Sequence, residues 1–289
     1  MIRHMTKTKE YFLFIITVIA IILALLSYNT DKSSSDKRTE TVKDKILSSG
    51  TIRAGYIIYD PLMTKDINTG ELSGFSYDLA NEVAKKLNLE IEWVGESSWG
   101  TFIEDIKIGR YDMIGTQVWA NATRARVAYL TDPAIYSPVY MYVKAGDDRF
   151  GIDPDILNSE SYTISTLDGE MSTFIAKDSF PKAKTLELTQ SSSAAEVLLN
   201  IVYGKADVAF MEPVFANNFL ETNPGSIQRV SDKTLRLFPN TYVLPQGEDE
   251  LLHMWNIAQT ELINEGKVET LLDKYGMRGQ VLTEQSVYH

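Results

Sequence analysis

Three observations predict an α/β protein. Short apolar runs rich in β-branched and aromatic residues alternate with segments of helical periodicity. The alternation occurs twice, on either side of a polar loop at Gly146-Asp-Asp148. Beyond an apolar N-terminal segment, enough chain remains for two domains of roughly 100 to 140 residues.

The first set begins with Val42-Lys-Asp-Lys-Ile-Leu47, a short helix that Ser49-Gly50 breaks. Thr51 to Tyr59 is rich in β-formers and ends on Asp60-Pro61, so it reads as a strand. Asn68-Thr-Gly70 marks a turn. From Gly74 to Leu87, the residues Phe75, Leu79, Val83 and Leu87 recur at fours with Ala80 and Ala84 beside them, the stripe of an amphipathic helix. Leu89 to Val94 alternates apolar and acidic, a strand with one wetter face. Thr101 to Ile108 is a short helix stopped by Gly109, and Tyr111 to Gly115 is the next strand. Such a β-α-β-α-β order implies a parallel sheet with crossover helices.

In the second set, Tyr140 to Lys144 is extended, and Tyr162 to Leu167 is a strand. Asp168-Gly169 turns into a helix that starts near Met171. Ser193-Ala-Ala-Glu196 is a capping box for a helix from Ala194 to Tyr203, closed by Gly204. Asp207 to Met211 is a strand ending on Glu212-Pro213. Leu235 to Phe238 and Thr241 to Leu244 are extended, and Leu251 to Tyr275 is helical with an interruption near Gly266.

At the N-terminus, Arg3, His4, Lys7 and Lys9 precede an apolar run from Tyr11 to Tyr28. This marks residues 1–28 as a signal peptide or signal-anchor helix. The run is near the lower edge of the roughly 17 to 25 residues that span a bilayer. No Ala-X-Ala cleavage pattern follows, which favours retention as a membrane anchor through residues 11–28. The chain beyond it faces outward, in the periplasm or on the outer face of the cytoplasmic membrane. Residues 29–41, rich in Ser, Asp and Lys, read as a flexible tether.

Composition excludes several classes. A net charge of −11 argues against nucleic acid as partner. With no cysteine, thiol catalysis, thiolate metal sites, disulfides and a lipoprotein acceptor are all absent. The three histidines, His4, His253 and His289, form no ligand-spaced cluster, so neither metal nor cofactor is expected.

The stretch from Gly115 to Ser137 concentrates hydroxyl, amide, indole and guanidinium groups. Arg124 suits two-point recognition of a carboxylate; the alternative is a solvated helix start. Arg126, two residues on, faces elsewhere on a helix. Glu212, at the mouth of an apolar strand, is costly to bury without a cationic partner, which favours a functional role.

Taken in order, further residues carry a family resemblance. They are Gly55 with Tyr59-Asp-Pro-Leu62, Gly70-Glu-Leu-Ser-Gly-Phe-Ser-Tyr-Asp-Leu-Ala80, and Gly109-Arg-Tyr-Asp112. Arg124 follows, seven residues before Thr131-Asp132, then Gly204-Lys-Ala-Asp207, and Gly266 with Lys274-Tyr-Gly276. From about Lys43 to Gly276 the chain resembles the bacterial extracellular solute-binding proteins of family 3, the periplasmic amino-acid-binding components of ABC transporters. The resemblance implies a type II, two-lobe periplasmic-binding-protein-like fold with a ligand cleft between the lobes. Lobe one is then 42–139 plus 240–289, and lobe two is 140–239 with the hinge strands, Tyr140–Val143 and Leu235–Tyr242.

The same resemblance places Arg124 as the clamp of an α-carboxylate and Glu212 as the acceptor of the ligand's ammonium group. Thr116, Gln117 and Trp119 line the wall beside Arg124. Tyr59 and Trp99 present aromatic surfaces, although both also read as core aromatics. Two positions depart from the family's pattern: Asn121 stands where Thr is usual, and Asp168-Gly-Glu-Met171 replaces Gly-Thr-Thr. Glu170 pointing inward opposes a carboxylate and favours a cation. Pointing outward, it leaves the amides near Met171 and Ser172 to an anion, and capping of the helix is its ordinary role. The function implied is an extracytoplasmic binding protein, not an enzyme, that delivers a small polar solute to an ABC permease. The solute is an amino acid or a related amine or acid. The alternatives are a cyclohexadienyl-dehydratase-like enzyme using Glu170 and Glu212 as acid and base, or a ligand-sensing receptor module.

Overall fold

Two parallel β-α-β units share one sheet because two long strands run between them. The computed structural model describes residues 15–24, 40–151 and 153–283, and falls into two units, Met1–Thr41 and Val42–His289. In the first unit, residues 15–24 form helix α1 with exposed apolar side chains. Among the described residues, no helix is long and apolar enough to cross a membrane. The basic flank, the ends of the apolar run and residues 29–39 of the expected tether lie outside the described residues.

The second unit opens with α2 (Val42–Ser49) and β1 (Thr51–Tyr56). A small hairpin of β2 (Thr64–Lys65) and β3 (Leu72–Ser73) precedes α3 (Phe75–Lys86) and β4 (Glu90–Glu96). Next come α4 (Phe102–Lys107), β5 (Met113–Trp119), the single-turn α5 (Ala122–Ala125), β6 (Tyr129–Leu130) and β7 (Ile135–Lys144). After a 3-10 turn at Pro154–Leu157 follow β8 (Thr163–Leu167), α6 (Met171–Ser179), β9 (Lys184–Leu188), α7 (Ala194–Val202) and β10 (Val208–Met211). The order ends with α8 (Pro213–Thr222), β11 (Ile227–Arg229), β12 (Arg236–Leu244), α9 (Asp249–Asn264) and α10 (Lys267–Lys274).

Ten strands form the main sheet, in the order β4-β1-β5-β12-β7-β10-β8-β9, with β11 beside β7 and β6 beside β12. β1 runs parallel to β4 and β5, and β8 runs parallel to β9 and β10, as crossover helices require. β7 and β12 are antiparallel to their partners and change partner midway. Ile135 to Val139 of β7 pair with β12, and Tyr140 to Val143 pair with β10. Likewise β12 pairs with β7 up to Asn240, and from Asn240 onward with β5.

The helices follow their apolar spacing. Phe75, Leu79 and Val83 are fully buried on one face of α3, while β4, at the sheet edge, alternates exposed and half-buried residues. The capping box at Ser193 and Glu196 is present at the start of α7. Gly115 in β5 is required by a close approach, since a Cβ there lies 2.4 Å from the Trp93 indole. Gly115→Ala is therefore expected to destabilise the chain by roughly 1–3 kcal/mol through overpacking, read as a lower urea midpoint.

Several sequence expectations need correction. The strand expected to reach Tyr59 ends at Tyr56, because Ile57 bonds the Thr116 hydroxyl and Tyr59 curls onto Met63. The strand expected to stop at Gly115 continues to Trp119, so Thr116 and Gln117 lie inside the sheet. The separate extended pieces at 235–238 and 241–244 form one strand through Pro239. Proline is accommodated because its carbonyl still accepts from Ala120 while pairing with β5 begins one residue later. β9, α8 and β11 fall where no element was expected.

Candidate functional site

The site grows from four chain turns that meet where the two β-α-β units face one another. The first follows β1. Thr116 Oγ1 donates to the Ile57 carbonyl and accepts its amide, each at 2.8 Å, which fixes the loop carrying Tyr59. Tyr59 is buried and packs edge-on against Trp99, with centroids 5.2 Å apart, and against Trp119 at 6.2 Å. Its ring lies 4.0 Å from that of Phe215.

The second turn ends β5. Gln117 is 1% exposed, and both atoms of its side-chain amide lack a partner among the described residues. Asn121 caps α5 by accepting the Arg124 amide, so the residue that departs from the family's usual Thr performs an ordinary capping role. Arg124 then turns back into the protein, 5% exposed. Its Nη1 donates to the Trp119 carbonyl at 2.7 Å and its Nη2 to the Gly169 carbonyl at 3.2 Å. The guanidinium also lies over the rings of Phe102 at 5.1 Å and of Trp99 at 6.0 Å. Burial pulls it down to about 10, with Glu170 acting in the opposite sense, and it remains a cation at neutral pH. Arg126 is exposed, as its spacing implies.

The third turn precedes α6. Gly169 has φ +75, and a Cβ there would sit 3.0 Å from the Trp99 carbonyl, so this approach of the two sides depends on glycine. Glu170 is buried and caps α6: Oε2 accepts from the Ser172 amide at 2.7 Å and from its hydroxyl at 2.6 Å. Of the two orientations open in the sequence, it adopts both roles at once, capping the helix while facing Arg124. Burial raises its pKa, and the Ser172 and Met171 donors and Arg124 oppose that rise. Met171 contributes its amide to this turn, and its side chain joins the core.

The fourth turn follows β10. Glu212 occupies the N-cap position of α8, with Pro213 after it, yet its side chain makes no cap bond. It is 1% exposed and instead faces the cleft, where Tyr59 Oη donates to Oε2 at a long 3.3 Å. Oε1 has no partner within hydrogen-bond geometry among the described residues. Burial pushes the carboxyl up to about 8; the Glu170 charge adds to this, and the nearby Ser137, Tyr59 and Trp119 donors act against it. Burial likewise raises the Tyr59 phenol well above its usual range, helped by Glu212 and Glu170.

Tyr59, Trp99, Trp119, Arg124, Glu170 and Glu212 thus meet through direct contacts or mutual charge, with Gln117 on the adjoining strand. Thr116 acts on Ile57 rather than opening its donor to the cleft. Sequence reasoning missed Ser137, Asn240, Thr166 and Phe215. Asn240 Nδ2 donates to Ser137 Oγ at 2.8 Å beside Glu212, and Thr166 Oγ1 is buried without a partner among the described residues. The first three are lone polar residues within strands, a weak signal. Phe215 lies in α8, where no element was expected.

A sheet that passes between two α/β units, with a buried charged cleft at their junction, defines a two-lobe ligand-binding protein of the type II periplasmic class. Residues 52–278 match the family described as bacterial extracellular solute-binding proteins, family 3, and the chain belongs to that family. It is 23% identical over 256 residues to a "Probable amino-acid ABC transporter-binding protein" of Haemophilus influenzae, covering 87% of this chain and 93% of that one. With the L-cystine-binding protein TcyA of Bacillus subtilis, identity is 20% over 264 residues, covering 91% and 95%. A solved structure of the ancestral amino acid-binding protein AncCDT-1, a precursor of cyclohexadienyl dehydratase, superposes with a TM-score of 0.70 at 25% identity. That match covers 80% of this chain and 97% of that one.

Proposed function

We propose that this solute-binding protein captures a small polar solute bearing an ammonium group, an amino acid or a related amine, and passes it to an ABC permease. The carrying observation is Glu212, a buried carboxyl in the cleft wall that, among the described residues, has one oxygen without a partner in hydrogen-bond geometry and no ion pair. Such a group is costly unless something charged arrives to meet it. We assign the lobes to 42–139 plus 240–289 and to 140–239. The partner changes of β7 at Val139 and of β12 at Asn240 support these bounds.

In this reading Tyr59, Trp99, Gln117, Trp119, Arg124, Glu170, Met171 and Glu212 form the site, and Thr116 positions the loop of Tyr59. Binding is favoured over catalysis because Glu170 is committed through Oε2 to both Ser172 donors as the cap of α6. The basic flank and apolar run support export, with residues 11–28 as anchor. Recovery of the intact chain in the membrane fraction after an alkaline wash checks this, and a shortened chain in the soluble fraction contradicts it.

The function is tested by a thermal-shift screen of the full chain against amino acids, amines and small acids. A true ligand at a hundredfold excess over its Kd adds about 2.7 kcal/mol of stability. A panel of all three classes that leaves the transition unmoved refutes solute capture.

A further inference from the structure

Resting on that reading, we propose that the solute is an organic monocation without a carboxylate, a primary amine with an apolar body. Three buried ionisable groups act on one another at the site: Arg124, Glu170 and Glu212. Burial keeps Glu212 protonated until a cation arrives; once it ionises, one group is positive and two are negative, so the ionised site carries one uncompensated negative charge in a region of low dielectric. A zwitterion brings no net charge and leaves that imbalance in place. A monocation removes it.

Position separates a plain amine from a cationic amino acid, which also carries one net positive charge. The place for an anion is filled from within the chain. Glu170 takes the Ser172 amide and hydroxyl at the N-terminus of α6, and its charge faces Arg124. Arg124 in turn commits one N–H of each terminal nitrogen, to the Trp119 carbonyl and to the Gly169 carbonyl, and keeps its other donors beside this charge. A ligand carboxylate brought to these groups meets Glu170 as a like charge at close range, an arrangement that specificity uses for rejection. An acceptor without a partner in hydrogen-bond geometry, among the described residues, lies elsewhere, on Glu212 Oε1. An ammonium group, with three donors and no acceptor, matches it.

The surroundings describe the rest of the ligand. Tyr59, whose hydroxyl donates to Glu212, packs against Trp99 and Trp119, so the carboxyl adjoins an aromatic cluster, a setting that favours organic cations. A cavity of about 380 Å³ adjoins it, sharing Tyr59, Trp99 and Phe215 and continuing over Leu167, Leu199 and Phe219. Its size and apolar lining suit a short alkyl or aryl body.

The test compares ligands that differ only by a carboxylate, titrated calorimetrically into the full chain: phenethylamine against phenylalanine, and isopentylamine against leucine. The amine is expected to bind tighter than its amino acid by about a hundredfold, the scale set by a like charge held against Glu170. Phenylalanine methyl ester, which lacks the charge, should rank with the amine. Glu170→Gln is expected to narrow the gap, with the amino acid gaining and the amine losing affinity. The wild-type pairs decide the matter even if that variant folds poorly. An amino acid, arginine and lysine included, that binds as tightly as its amine overturns the proposal and leaves solute capture standing. Failure of the amines and the amino acids alike overturns both.

Discussion

Glu212→Gln is expected to abolish solute binding and to flatten the pH dependence of stability. The group lies in the folded protein at about 8, against an ordinary value of 4.5, chiefly because burial disfavours its charge. The folded pKa is therefore raised above the unfolded one. Between these two values the native state holds a proton that the unfolded chain has released. The resulting stability is fully present below about 4.5 and is lost progressively as pH rises through about 8. At about 1.4 kcal/mol per pKa unit, the loss is several kcal/mol. Glutamine has the same shape and no titration. The variant should match the parent near pH 5 and exceed it near pH 9, in calorimetric melts without ligand. Parallel curves for the two proteins place the high pKa elsewhere.

Arg124→Met is the second large effect. The substitution removes the hydrogen bonds to the Trp119 and Gly169 carbonyls and leaves Glu170 buried without its compensating charge. Removing one member of a buried charge pair costs roughly 3–5 kcal/mol. Much of that cost belongs to the stranded Glu170, so Arg124→Met combined with Glu170→Gln should recover part of it, by about 1–3 kcal/mol of coupling. Urea denaturation of the parent, both single variants and the pair checks this. Strictly additive losses show that Arg124 and Glu170 do not act on one another.

The sequence revealed these pieces unevenly, for identifiable physical reasons. Helices with a strong apolar stripe or cap, such as α3 with Phe75, Leu79 and Val83 and α7 with its Ser193 box, were legible because their signals are local. Strand ends were not, since they depend on partners far along the chain. β1 stops early because Ile57 is taken by Thr116, fifty-nine residues away. β9 has exposed or half-buried residues, which leaves no apolar run to notice. The charged residues Arg124 and Glu212 stood out because charge next to an apolar run is costly in any fold. What no local pattern carries is the direction of Glu170. Its place as a cap is ordinary, yet only the folded chain brings that cap against Arg124 and Glu212.

Binding of a cation to Glu212 carries a proton signature. Near pH 7 the free carboxyl is mostly protonated, and an arriving ammonium group requires it to ionise. Titration calorimetry of one bound amine in buffers of different ionisation heat measures the protons exchanged. Release of about one proton per ligand at pH 7, vanishing in Glu212→Gln together with the affinity, is the expected result. Tight binding with no proton release, unaffected by that substitution, contradicts the placement of the solute at Glu212.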